Sequence, residues 1–155
     1  MFFARKATET EKLLIKEWLT TENLPTTDIF NENIVFLLGE LDDELVACGG
    51  LELYDDVAIM RGLYVKPSFR KGNLGETIAR GLINLADKRS VKYIYTLIDD
   101  DNMAYFLAKM RYVPCECTDL IKAVPSSNIT QYKNKAKAWC LDIDLFFKNS
   151  CCSKH

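Results

Sequence analysis

The sequence has few of the residues that point to a metal site, a loop-rich protein or a highly charged partner. Its 155 residues include one histidine, seven glycines and four prolines, and 20 basic residues nearly balance 22 acidic ones. A net charge of -2 gives no field that would attract a nucleic-acid backbone or an anionic membrane surface. No apolar run is long enough to cross a bilayer, and Met1 to Lys6 is too short and too soon charged for a signal peptide. We therefore expect a cytoplasmic protein with neither nucleic acid nor membrane as a partner.

The six cysteines are the exception to this scarcity. Disulfide scaffolds are small, secreted and poor in apolar core, whereas 48% of this chain is hydrophobic, so free thiols are the expectation. Cys115 and Cys117 form one group, and Cys151, Cys152 and His155 form another, but neither has the paired spacing of a structural zinc site. We expect no metal site. The terminal group could still bind a soft metal ion through its thiolates, or simply fray.

The first half of the chain has the apolar pattern of a β-meander preceded by a helix. A strand at 2–5 is followed by a helix that Thr8 or Thr10 would cap and whose apolar stripe is Leu13, Leu14, Trp18 and Leu19. Three further strands, separated by turns rich in aspartate, are predicted at 34–41, 45–54 and 57–66. Strands joined by such short turns predict antiparallel pairing.

The second half alternates between helical and strand periods. The predicted helices run from Gly75 to about Arg89 and from 102 to 110, the predicted strands are 91–98, 111–117 and 136–147, and a short helix is expected within 119–132. Together the two halves predict an α+β fold, a mixed and mostly antiparallel sheet with helices on both faces. We expect one domain over 1–148 and a short tail at 149–155.

A strand end, a tight loop and a helix start follow one another at 65–75, where the sequence is VKPSFRKGNLG. Backbone N–H groups in such a loop point the same way, and with the partial positive charge of the helix N-terminus they form a site for phosphate. Arg70 and Lys71 add positive charge. The segment therefore predicts a phosphate-bearing cofactor, and the alternative is an ordinary strand-to-helix turn with a basic surface.

This segment resembles the signature of the GNAT superfamily of N-acetyltransferases, V-x-P-x-x-R/Q-x-x-G-x-G/A between a strand and a helix. Arg70 stands at the Arg/Gln position and Gly75 at the last small position. Asn73 replaces the usual first glycine, a change that the chain can accept because asparagine tolerates the left-handed backbone. The meander before the segment and the strand, helix, strand unit after it also match the superfamily's order.

The resemblance implies acetyl-CoA as the acetyl donor. Backbone groups of the strand would pair with the pantetheine arm, and the loop with the first helical turn would hold the pyrophosphate. The implied strand contacts are Leu63, Tyr64 and Val65. The implied loop and helix contacts are Arg70, Lys71, Gly72, Asn73, Leu74, Gly75 and Glu76.

Acetyl transfer to an amine needs a base for the acceptor and an acid for the leaving thiolate. Many superfamily members supply the acid from a helix tyrosine, but Leu107 stands at that position here, so the proton would come from Tyr105, another side chain or water. Glu52, near the end of the third predicted strand, is the candidate base and would act through an ordered water. The alternative is that Glu52 has no catalytic role and is a strand carboxylate that faces solvent.

Arg61 is the candidate acceptor-binding residue. The stretches 24–28, 50–52 and 60–63 resemble the branch of the superfamily that acetylates amino acids and their arsenic or phosphorus analogues. A guanidinium on the strand before the cofactor motif could grip a carboxylate or arsonate-like group through two hydrogen bonds. Arg61 shares a sheet face with Ile59 and Leu63, which predicts that it is partly buried and needs an anionic partner.

The expected function is N-acetyl transfer from acetyl-CoA to the amine of a small molecule, an amino acid or analogue, by direct attack in a ternary complex. Two alternatives stay open. One is a peptide or protein acceptor, and the other is a sensor that binds acyl-CoA without turnover, which Leu107, Asn73 and Arg111 would favour. The resemblance also allows a homodimer, to which the closing strand at 138–147 could contribute.

Overall fold

A computed structural model of the chain describes residues 1–24, 26–98, 101–124 and 137–152. Its elements, in chain order, are β1 Phe2–Lys6, α1 Lys12–Thr21, β2 Ile34–Leu41, β3 Glu44–Tyr54, β4 Val57–Val65, a 3-10 helix Pro67–Phe69, α2 Leu74–Lys88, β5 Tyr93–Ile98, α3 Asp101–Lys109, β6 Val113–Cys115, α4 Cys117–Ala123, β7 Lys137–Asp142 and α5 Ile143–Cys152. The seven strands have the order β1-β2-β3-β4-β5-β7-β6. The pairings of β1 with β2, β2 with β3, β5 with β7 and β6 with β7 are antiparallel, and that of β4 with β5 is parallel. The predicted α+β class with a mixed, mostly antiparallel sheet is confirmed.

Contacts along the chain define two compact units. The first contains residues 1–53 and 60–85, and the second contains 54–59 and the part of the chain that begins at Ala86. The expectation of one domain over 1–148 with a tail at 149–155 stays a prediction. Helix α5 runs into that tail as far as Cys152.

The first unit packs α1 and the residues after it against the meander strands. Its apolar core includes Trp18 and Leu19 of α1, Ile29, and Phe36 and Leu38 of β2. The predicted stripe of α1 was wrong at one position, because Leu13 is 58% exposed whereas Ile15 is fully buried. Ile15 precedes Trp18 by three residues and Leu19 by four, so it shares their helix face and Leu13 does not.

The second unit contains the parallel pair of β4 with β5 and the antiparallel strands β6 and β7. A small apolar core forms around Ile59, Leu120 and Val124. The predicted closing strand at 136–147 was wrong beyond Asp142, where β7 ends and α5 begins. Asp142 caps that helix, because its Oδ1 accepts a hydrogen bond from the backbone N–H of Leu145 at 3.2 Å. Most of the predicted connection at 119–132 lies outside the described residues, and its first residues belong to α4, which begins at Cys117.

Candidate active site

The loop from Lys66 to Asn73, called the cofactor loop below, connects β4 to α2 and contains most of the residues that the motif singled out. Pro67 begins the 3-10 helix, where a residue without a backbone N–H donor is tolerated. Asn73 adopts the left-handed backbone with φ 61°, as the sequence predicted that asparagine could. Its carbonyl oxygen accepts a hydrogen bond from the backbone N–H of Thr77 at 3.2 Å, so Asn73 begins the helical ladder of α2.

Two glycines of this segment have open space beside their backbone. A Cβ atom at Gly72 would come no closer than 3.8 Å to Leu74, and one at Gly75 would lie 3.6 Å from Val65. Both are ordinary van der Waals distances, and neither glycine has a positive φ. Among the described residues, nothing therefore demands glycine at either position. A glycine lets a ligand approach the backbone closely, which is a physical reason for glycine at these two positions. Such an approach fits an anion bound at the start of α2.

The side chains of the segment divide between solvent and core. Lys71 and Asn73 are exposed, whereas Leu74 is 8% exposed and contributes to the core, so only its backbone N–H can face a ligand. Glu76 is half-buried and its Oε1 lies 3.2 Å from NH2 of Arg80. Arg70 Nε donates a hydrogen bond to the carbonyl oxygen of Val65 at 2.7 Å. The first helical turn therefore offers mainly backbone donors to a bound anion.

Strand β4 carries the predicted pantetheine contacts, Leu63, Tyr64 and Val65, all of them half-buried. Its parallel register with β5 covers Val57–Ile59, and β4 continues for six residues beyond Ile59. Sequence reasoning missed Gly62, which lies within this continuation with φ 65°. A Cβ there would come within 3.0 Å of Leu19 and 3.1 Å of Phe36. A glycine inside a predicted strand is the signal that could have indicated this irregularity.

Two of the predicted site residues, Glu52 and Arg61, are brought together with a third residue, Asp28, in the first unit. NH1 of Arg61 donates a hydrogen bond to Glu52 Oε1 at 2.6 Å and another to Asp28 Oδ2 at 2.8 Å. All three residues are at most 6% exposed. The alternative of a solvent-facing Glu52 is thus wrong. Arg61, which the sequence predicts to be partly buried with an anionic partner, is almost fully buried and has two such partners. Asp28 was missed because its contact spans 33 residues of chain.

The charges of this cluster are paired. Burial lowers the pKa of Arg61, but the hydrogen bond to Asp28 and the charges of Glu52 and Asp28 outweigh burial and raise its pKa overall, so the guanidinium stays charged. Asp28 Oδ1 is buried and has no hydrogen-bond partner among the described residues. The guanidinium of Arg61, which Asp28 also binds, can hold the Glu52 carboxylate in a single orientation, as a general base requires.

The predicted acid, Tyr105, lies on α3 in the second unit and is 80% exposed. Leu107, at the position of the superfamily's tyrosine, is fully buried and serves as a core residue. The role of Tyr105 stays a prediction. Among the described residues, no group of three potential metal-ligating side chains occurs. No helix in the described ranges is long and apolar enough to cross a membrane.

Comparison with known proteins identifies the family. The sequence matches the acetyltransferase (GNAT) family over residues 5–109, which is more than half of the chain. The chain therefore belongs to the GNAT family of acetyltransferases. A search of the curated proteins found none that matches the sequence.

Several solved structures share the fold of this chain. A GNAT-family acetyltransferase of Staphylococcus aureus Mu50 matches with a TM-score of 0.74 and 14% identity, over 92% of this chain and 99% of its own. The Rv2747 protein of Mycobacterium tuberculosis, solved in complex with CoA, matches with a TM-score of 0.71 and 15% identity, over 90% of this chain and 98% of its own. The N-acetylglutamate synthase of Neisseria gonorrhoeae, solved with CoA and N-acetyl-glutamate, matches with a TM-score of 0.74 and 16% identity, over 92% of this chain but 35% of its own.

Proposed function

We propose that the protein transfers an acetyl group from acetyl-CoA to the amine of a small molecule, an amino acid or an analogue, by direct attack in a ternary complex. The observation that carries the proposal is the turn from β4 into α2, with left-handed Asn73 and two glycines whose backbone a ligand can approach. Membership of the GNAT family supports the same reaction class. CoA in the solved Mycobacterium and Neisseria relatives supports an acyl-CoA donor.

The cofactor residues are proposed to act mainly through their backbones. Acetyl-CoA supplies the acetyl group in activated form, as a thioester. The cofactor loop and the first turn of α2, from Arg70 to Glu76, would hold the pyrophosphate by N–H groups and the helix dipole. Lys71 is exposed beside them and adds positive charge. Leu63, Tyr64 and Val65 would offer backbone groups to the pantetheine arm.

The cluster of Asp28, Glu52 and Arg61 is proposed to carry the proton chemistry. Glu52 accepts a proton from the acceptor's ammonium through an ordered water, and the free amine then attacks the thioester carbonyl. Arg61 NH1 holds the Glu52 carboxylate, and the same nitrogen donates a second hydrogen bond to Asp28. Tyr105 is proposed to return a proton to the leaving thiolate, with water as the alternative.

The class of acceptor is the part of the proposal that depends most on resemblance. The stretches 24–28, 50–52 and 60–63 favour an amino acid or analogue, and the Neisseria relative was solved with N-acetyl-glutamate. In the sequence-based hypothesis Arg61 grips the acceptor's carboxylate. Since its NH1 already donates to two internal carboxylates, such a grip requires the acceptor to share the guanidinium with them. A cytoplasmic location and a homodimer stay predictions.

A sensor that binds acyl-CoA without turnover is the second candidate. The buried position of Leu107 favours it, because this side chain fills the core and cannot donate a proton. A peptide or protein acceptor is a further alternative within the same reaction class. The acceptor panel described next distinguishes all three.

The test is acetyl-CoA consumption, read as released thiol, across amino acids, glutamate analogues, polyamines, aminoglycosides and short peptides. Turnover confined to amino acids or analogues, lost in Arg61→Ala and kept in Arg89→Ala, would support the proposal. Arg89 is a matched control because it is an exposed arginine outside the cluster. Turnover with peptides alone would favour the protein acceptor. Measurable CoA binding without turnover of any amine would favour the sensor.

A further inference from the structure

We propose that Glu22 is a positioning residue for the cofactor loop and acts through the guanidinium of Arg70. The proposal rests on the proposed function, because it takes this loop to hold the pyrophosphate of acetyl-CoA. Glu22 follows the last residue of α1 and lies 48 residues from Arg70 in the sequence. No motif in the sequence pairs the two residues.

The guanidinium of Arg70 is held from three directions. Its Nε donates a hydrogen bond to the Val65 carbonyl oxygen at 2.7 Å, and its NH2 donates one to Glu22 Oε1 at 2.8 Å. Its central carbon lies 5.6 Å from the centre of the Tyr64 ring, within the range of a cation–π contact. Arg70 therefore connects the end of β4 to the end of α1.

These contacts tie the cofactor loop to β4 and α1. The Nε bond ties the middle of the loop back to Val65, the residue that precedes it. Tyr64 is itself fixed, because its ring stacks on Trp18 of α1 with centroids 5.4 Å apart, and Trp18 is 8% exposed. Glu22 supplies the second hydrogen bond of the guanidinium and a negative charge beside it. Without Glu22 the guanidinium loses its direct hydrogen bond to the end of α1 and keeps only its contacts with Val65 and Tyr64.

The direction in which acetyl-CoA affinity changes when Glu22 is removed distinguishes a positioning role from a simple effect of charge. Glu22 is negative and lies beside a loop that is to receive an anion, so by charge alone its removal would strengthen the binding of acetyl-CoA. If Glu22 fixes the guanidinium and through it the loop, its removal weakens the binding. Arg70 and Glu22 are 49% and 41% exposed, so the effect is moderate. The loss of an exposed ion pair of this kind is expected to change the affinity for acetyl-CoA by about two- to fivefold.

The experiment is Glu22→Gln in the full chain, with acetyl-CoA affinity measured by calorimetry and KM and kcat measured separately. We expect Kd and KM for acetyl-CoA to rise about two- to fivefold with kcat unchanged. Glu17→Gln removes the same charge from an exposed position on α1 and is expected to change neither value. Glu22→Asp keeps the carboxylate and is expected to restore part of the affinity, which a general loss of stability would not do.

A double-mutant cycle with Arg70→Ala then tests whether Glu22 acts through Arg70. In that background Glu22→Gln is expected to cause no further loss of affinity. An unchanged or lower Kd in Glu22→Gln alone, or an equal loss in the Arg70→Ala background, would overturn the proposal. If the unmodified protein does not bind acetyl-CoA, the proposed function fails instead, so the two failures are distinguishable.

Discussion

Among single residues, Arg61 has the environment with the greatest consequence for chemistry. Its side chain is 3% exposed and meets two carboxylates that are as deeply buried. Buried charges are tolerated when they are paired and hydrogen-bonded, and removing one member leaves the others uncompensated. The pairing restricts Glu52 to one orientation, which a flexible surface carboxylate would not have. Glu52 is therefore the residue at which the proposed acid–base chemistry is most directly tested.

Glu52→Gln is expected to lower kcat by about a hundredfold or more, since glutamine keeps the shape of the side chain but cannot accept the proton. Acetyl-CoA affinity should stay unchanged, because Glu52 lies outside the cofactor loop. Thiol release and calorimetry measure the two quantities. Glu32→Gln is the control, because Glu32 is an exposed glutamate that precedes β2 and lies outside the cluster. An activity close to that of the unmodified protein would exclude Glu52 as the base.

Glu11 predicts a pH dependence of stability. The hydrogen bond from Arg5, followed by that from the backbone of Thr8, lowers the pKa of Glu11 from 4.5 to about 2. A carboxyl group with a lowered pKa in the folded state stabilises it fully above about pH 4.5 and loses this effect as the pH falls to about 2. Glu11→Gln should thus be less stable than the unmodified protein at neutral pH, with the difference narrowing below pH 4.5. Urea unfolding at a series of pH values measures it, and a difference that is constant with pH would contradict the assignment.

Among the elements, three helices end on a non-glycine residue in the left-handed conformation. These residues are Asn23 after α1, Ser90 after α2 and Arg111 after α3, with φ 57°, 64° and 73°. In each case the following residue donates its backbone N–H to a carbonyl five residues earlier, the bond of a Schellman motif. Arg111 adopts this conformation although it carries a Cβ atom.

Ser90→Gly is expected to stabilise the protein by about 1 kcal/mol, because a residue with a Cβ atom is strained in the left-handed conformation and glycine is not. The melting temperature and urea midpoint measure the change. Ser90→Ala is the matched control, since it removes the hydroxyl but keeps the Cβ atom, and it should give no comparable gain. A gain of the same size in both variants would show that backbone strain is not the cause.

For the whole molecule, the proposed function predicts that acetyl-CoA stabilises the folded state. A ligand that binds only the folded chain adds about 2.7 kcal/mol at a concentration of 100 times its Kd. The melting temperature should rise with ligand concentration. Pantetheine, which lacks the pyrophosphate, should cause a much smaller rise at equal concentration, because the cofactor loop is proposed as the main anchor. Equal shifts with both compounds would argue against that loop as the phosphate site.

Local patterns in the sequence determined most of the elements, the strand, loop and helix of the cofactor site, and the burial of Arg61. Each of these depends on neighbours within a few residues, as period, turn and capping signals do. The helical spacing to Trp18 and Leu19 already favours Ile15 over Leu13 as the core residue, whereas only the tertiary structure decided that the closing strand ends at Asp142. It alone supplied Asp28 as a partner of Arg61 and Glu22 as a partner of Arg70, across 33 and 48 residues of chain. Such partners are selected by packing among many similar carboxylates, and a local pattern contains no information about which one is chosen.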